Sequence, residues 1–97
     1  MAARRLPDGV RVYNEPSDMA IDENGRPRSF VWRGRPYAVT RVLEDWESMR
    51  PQRRKPFPGP LDHRVFHYRV RASSPRGQGV IEVRRQYKGW FVTAVYD

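Results

Sequence analysis

The stretch Val65–Ala72, VFHYRVRA, alternates by the rule of a half-buried strand. Phe66, Tyr68, Val70 and Ala72 occupy the even positions, while His67, Arg69 and Arg71 occupy the odd ones. Successive side chains of a strand point to opposite faces, so this segment offers an apolar inner face and a basic outer one. Downstream, Ser73-Ser74-Pro75-Arg76-Gly77 reads as a turn. In Val80–Tyr87 the same alternation places Ile81 and Val83 inward, with Glu82 and Arg84 outward and Arg85 back on the other side. Tyr87-Lys88-Gly89 turns the chain again, and Trp90–Tyr96 is apolar on both faces, as a central strand is. The second half is therefore a three-stranded meander.

Upstream the signals are shorter. Residues 1–8 read as a flexible tail, leaving 9–97 as a single β domain. Val10, Val12 and Tyr13 form a short strand that Asn14-Glu15-Pro16-Ser17 should stop. Asp18–Pro27 is polar and acidic, with Asn24-Gly25 as a turn signal. Ser29–Trp32 and Tyr37–Thr40 are the arms of a hairpin turned by Arg33-Gly34-Arg35, with Trp32 and Tyr37 as a cross-strand pair. Val39, Val42, Leu43, Trp46 and Met49 fall at helical spacing, so residues 41–49 read either as a short helix or as a bulged continuation of the strand. Arg50–Pro60, RPQRRKPFPGP, is an extended basic loop, because proline at that density blocks helix and central strand alike. The expected architecture is mainly β: a five- or six-stranded antiparallel sheet coiled into a partly open small barrel.

Composition narrows the function classes. One small core fits in 97 residues, and Leu, Ile, Val and Phe supply only 20 of them, so aromatic rings must carry much of the burial. No apolar run approaches the ~20 residues of a membrane span, and the first residues carry no signal-peptide pattern. The expected location is cytoplasmic, on the nucleoid if DNA is the ligand. The absence of cysteine excludes disulfides, thiol catalysis and Cys-based zinc sites. Net charge is +8, with 17 arginines against two lysines. Residues 1–49 carry eight arginines against eight acids, so the whole excess falls in residues 50–97, where any positive surface is expected.

Three groups of residues are candidates for binding nucleic acid. Trp32, Arg33, Arg35 and Tyr37 combine stacking rings with phosphate-gripping guanidinium groups, although the same residues also serve as a hairpin core with solvated arginines. Arg53, Arg54 and Lys55 form a phosphate-contacting loop, or else the prolines around Phe57 present it as an anchor for a protein partner. Arg69, Arg71 and Arg84 share one sheet face, which Glu82 partly neutralises. His63 and His67 are four apart beside Asp62, but on a strand they sit too far apart for one ion, and no third ligand completes a site. Glu44, Asp45 and Glu47 are the densest acidic cluster. Without a nucleophile–base pair they suggest ion pairs with Arg41 or Arg50 rather than catalysis. No enzyme activity, metal, cofactor or small-molecule substrate is expected.

Gly25–Val39, GRPRSFVWRGRPYAV, with Val42-Leu43, Trp46, Gly79–Val83 and the ending Gly89–Asp97, GWFVTAVYD, resembles a small actinobacterial domain family of unknown function. The similarity spans roughly residues 22–97 and extends to the C-terminal domain of the mutasome's inactive Y-family polymerase homologue. It implies a compact β module in a DNA-damage-tolerance setting, and no activity. The loop at 50–60 is more basic and proline-rich than the family pattern, which favours an anionic partner. The expectation is a non-enzymatic module that binds nucleic acid, single-stranded rather than duplex. The alternative is an adaptor that docks on a subunit of a repair polymerase assembly through Phe57 or an open sheet edge.

Overall fold

A computed structural model describes residues 9–49, 64–86 and 89–96. The expected tail at 1–8, Arg50, the basic loop with Arg53, Arg54, Lys55 and Phe57, the Asp62–His63 pair and the Tyr87–Lys88 turn lie outside the described residues. Six antiparallel strands follow one another: β1 (Val10–Ile21), β2 (Pro27–Trp32), β3 (Arg35–Met49), β4 (Arg64–Ser74), β5 (Gly77–Gln86) and β6 (Gly89–Tyr96). Each pairs with the next, and β1 pairs with β6 as well as β2, so the sheet closes into a ring. The partly open form expected from the sequence is closed by these β1–β6 pairs.

Two long strands turn the corners of the ring. Val10–Ser17 of β1 pairs with β6, and from Asp18 onward the strand pairs with β2. Ala38 of β3 is opposite both Ser29 of β2 and Ser73 of β4, and beyond it β3 pairs with β4 alone among the described residues. One layer is therefore β1–β6–β5–β4–β3, and the remaining parts of β1 and β3 fold over it with β2.

Both corners overturn local signals. Asn14-Glu15-Pro16-Ser17 does not stop β1, because Pro16 lies opposite Phe91 where the strand has a neighbour on one side only. A proline missing its N–H is tolerated at such an edge. Residues 41–49 are strand and not helix, with register shifts at Thr40 and Leu43. These bulges interrupt the strict alternation, which is why the apolar spacing imitates a helix.

The turns follow their sequence signals. Asp22 accepts from the backbone N–H groups of Asn24 and Arg26 through Oδ1, at 2.8 and 2.9 Å, and Gly25 takes φ of 80°. Arg33 and Gly34 both have positive φ, 56° and 72°, the requirement of a two-residue hairpin turn that matches strand twist. That turn sets the register: Phe30 opposes Tyr37, and Trp32 opposes Arg35. The cross-strand pair is thus Phe30–Tyr37, stacked at 4.9 Å, whereas Trp32 meets Tyr37 diagonally at 6.1 Å.

The core gathers Phe30, Trp32, Val70, Ala72, Ile81, Val83 and Val92, with Tyr13, Met19, Tyr37, Tyr68 and Trp90 packed around it. Val70, Val83 and Val92 are wholly buried. Tyr68, Val70, Ala72, Ile81 and Val83 face inward as the alternation requires. Phe66, at the end of that row, stays half-exposed between the guanidinium groups of Arg64 and Arg85.

Candidate nucleic-acid interface

One end of the ring is hollow. Inner-facing positions along β4 and β5 alternate down from Val70 to Ala72 and Ser74, then back through Gly77 and Gly79 to Ile81. Ala, Ser, Gly and Gly fill little space, and no heavy atom lies within 4 Å of where a Cβ would stand on Gly77 or Gly79. A cavity of about 500 Å³ opens there. Trp32 and Tyr37 provide its rings, and Arg35, Arg76 and the rim residue Tyr96 contribute to its lining. The volume falls within the ~300–1,000 Å³ of ordinary ligand pockets.

Each ring is held by a contact of its own. Trp32 Nε1 donates to Glu15 Oε1 at 2.9 Å, and Tyr13 meets the indole edge-on at 5.0 Å. Phe30 stacks on Tyr37. On the outer face beside the cavity, Tyr96 lies under the Arg69 guanidinium and donates its phenolic hydrogen to Glu82 Oε1 at 2.9 Å. Burial, then that bond to a carboxylate, push the phenol's pKa upward, so Tyr96 remains a neutral donor.

Beside the cavity the outer face carries a cross-strand row. Arg41 opposes Arg71, Arg71 opposes Val80, and Val80 opposes Tyr96. Three inter-strand spacings make this row about 15 Å long. Arg41 and Arg71 are both exposed, and like charges directly opposite on a sheet destabilise it. Among the described residues, Arg35, Arg41, Arg71 and Arg76 make no ion pair with a carboxylate.

The other candidate arginines behave differently. Arg33 forms a two-point pair with Glu15, 2.7 Å from Nε to Oε1 and 2.6 Å from Nη2 to Oε2. The Arg33 hydrogen bond holds the Glu15 carboxyl below the usual carboxylate range, and the Trp32 bond adds to the effect against partial desolvation. Arg33 also lies over the rings of Tyr13 and Trp32 and takes no part in the cavity. Arg69 is hydrogen-bonded to Glu44, reaches Glu82 at 3.7 Å and lies over Tyr96 and Trp46. Arg84 donates to Asn14 at 2.6 Å and lies over Phe91.

Of the residues singled out from the sequence, Trp32, Arg35 and Tyr37 meet in one cavity, and Arg71 stands on the adjoining face. Arg69 and Arg84 share that face with Arg71 but are engaged within it. The pairing expected between the acidic cluster and Arg41 is corrected, while that with Arg50 lies outside the described residues. Glu44 takes Arg69, Asp45 takes Arg26 and Glu47 takes Arg64 at 3.9 Å, and Arg41 takes none of them. Glu47 opposes Phe66 beside Arg64, and Glu44 opposes Arg69. Glu44 and Glu47 of the first half thereby neutralise arginines of the second, and the arginines without a carboxylate partner among the described residues come from both halves.

His67 stacks flat against Trp46, 5.1 Å between centroids, with Ser48 Oγ 2.8 Å from Nε2. Burial pushes its pKa below the ordinary imidazole value, so the ring is neutral at pH 7. No three His, Asp or Glu side chains gather as metal ligands among the described residues.

The sequence reading does not single out Arg41 and Arg76 as binding residues. Two signals pointed to them: residues 24–43 and 63–81 contain no acid at all, and ASSPRGQG at 72–79 is too small to fill an inner face.

No curated protein and no solved structure matches the chain. The family model of a domain of unknown function (DUF6504) matches residues 1–97, and the chain belongs to that family.

Proposed function

We propose that this DUF6504 chain is a non-enzymatic module that binds single-stranded nucleic acid. The supporting observation is the meeting of an aromatic-lined cavity at one end of the ring with arginines that have no carboxylate partner among the described residues. An opposed Arg41–Arg71 pair costs stability in the free protein and is relieved when a polyanion lies across it. Arginine forks grip phosphates bidentately, and aromatic faces stack on bases whatever their sequence. Duplex is the weaker candidate, since no helix occurs among the described residues to enter a major groove. An adaptor that adds a partner strand would need a flat edge. The side of β3 that no described strand covers is instead bulged at Thr40 and Leu43, and the strand there carries Glu44, Asp45 and Glu47. A DNA-damage-tolerance setting beside a repair polymerase subunit suits a module that holds exposed single strands.

The test is fluorescence-anisotropy titration of labelled single-stranded DNA, RNA and duplex DNA against the wild type and an Arg41→Glu/Arg71→Glu double variant. The expected result is micromolar or tighter binding to a single strand that the double variant loses. Binding unchanged in the double variant, or none in the wild type at low salt, would overturn the reading.

A further inference from the structure

The hollow end of the ring has a shape that backbone binding alone does not require. Arginines on an outer face suffice for phosphates, and a small domain gains stability by filling its interior. Here the inner positions at Ala72, Ser74, Gly77 and Gly79 stay small and line one cavity with Trp32 and Tyr37. Gly77 has φ of 123°, which accounts for a glycine at that position by backbone conformation alone. Gly79 has no positive φ, and a Cβ placed on it would meet nothing within 4 Å, so neither backbone geometry nor crowding demands glycine there.

We infer that the cavity receives one unstacked nucleobase of the bound strand, with Arg35 and Arg76 at its mouth for the flanking phosphates. This rests on the nucleic-acid reading above and adds the base to it. A flat aromatic ligand suits a cavity lined by two aromatic rings and by glycine. The two rings are oriented beforehand by Glu15 and Phe30, so little side-chain freedom is lost on stacking. A base paired inside a duplex cannot enter, which makes the cavity the element that selects single strands.

The same chemistry could come from a free nucleotide, and the experiment separates the sources. The full chain is titrated with an oligothymidylate, with an abasic strand of equal length and charge, and with thymidine monophosphate. Each titration is repeated with Gly79→Leu, whose side chain grows into the cavity from unstrained backbone. Gly79→Val serves as the second filling variant, and thermal melting checks that each chain folds.

The expected result is about tenfold tighter binding of the intact strand than of the abasic one, the scale of a single base stack. Both filling variants should remove that difference while leaving abasic-strand affinity unchanged. Equal binding of the two strands by the wild type overturns the base pocket and leaves the phosphate reading standing. A filling variant that folds and keeps the preference also overturns it. Monophosphate binding as tight as the strand's overturns the strand as source, and no binding of either strand overturns both readings.

Discussion

Arg69 and Arg71 stand two residues apart on one strand and one face, yet they belong to different surfaces. Arg69 lies between Glu44 and Glu82, a third exposed, over the rings of Tyr96 and Trp46. Arg71 opposes another arginine on one side and a valine on the other. What separates them is the neighbouring strand and not their own sequence context. A count of basic residues therefore does not locate a positive surface. Cross-strand register decides which charges are consumed inside the fold and which face solvent. The interior divides the same way: its filled part is built on Phe30, Val83 and Val92, while the end beside Arg71 is hollow.

The largest effect should come from the two parts of the interior. Phe30→Ala removes a ring that is 2% exposed and stacked on Tyr37, and should destabilise the fold by about 3–5 kcal/mol in a denaturant melt. Gly79→Ala, in open space and on ordinary backbone, should be neutral or stabilising by up to about 1 kcal/mol. A loss at Gly79 comparable to that at Phe30 would mean that the end is packed and not hollow.

The arginine pair comes next. Arg69→Ala leaves Glu82, whose side chain is 17% exposed, without its guanidinium neighbour. The expected cost is about 1–2 kcal/mol, between that of an exposed pair and that of a buried hydrogen-bonded charge. Arg71→Ala should change stability by less than about 0.5 kcal/mol, since it breaks no ion pair. Equal losses in the same melts would erase the distinction.

Acid sensitivity is the smallest effect. The Glu15 carboxyl is depressed by Arg33, so its contribution is present above the unfolded carboxylate pKa and lost as pH falls through the lower folded value. Thermal melts between neutral and acidic pH should show less acid destabilisation in Glu15→Gln, which keeps an acceptor for Trp32 but not the charge. Identical acid profiles would show that the Arg33 pair is fully screened.

Legibility in the sequence followed the range of the interactions. The meander is legible because Val65–Ala72 alternates throughout and Val80–Arg84 carries the same pattern before Arg85 breaks it, and the two turns rest on Asn24-Gly25 and Arg33-Gly34. The passage of β1 through Pro16 was hidden, because proline reads as a stop until the strand is known to be an edge. Strand β3 was ambiguous because its bulges at Thr40 and Leu43 shift the apolar residues out of phase. At the site, Trp32, Arg35 and Tyr37 were found together because one hairpin carries them. Arg76 joins them only when the ring is formed, through strands far apart in the chain. The fate of each arginine was not legible, since Glu44 and Arg69 are 25 residues apart and meet by register alone.

The most direct test is the salt dependence of single-strand binding by the wild type, Arg71→Ala and Arg69→Ala, measured side by side on folded protein. For a single strand, each lost phosphate contact should lower the magnitude of the slope of log affinity against log salt by about 0.7. That decrease is expected for Arg71→Ala, with an unchanged slope for Arg69→Ala. Equal decreases in both variants, or a wild-type affinity indifferent to salt, would contradict the division between the two arginines.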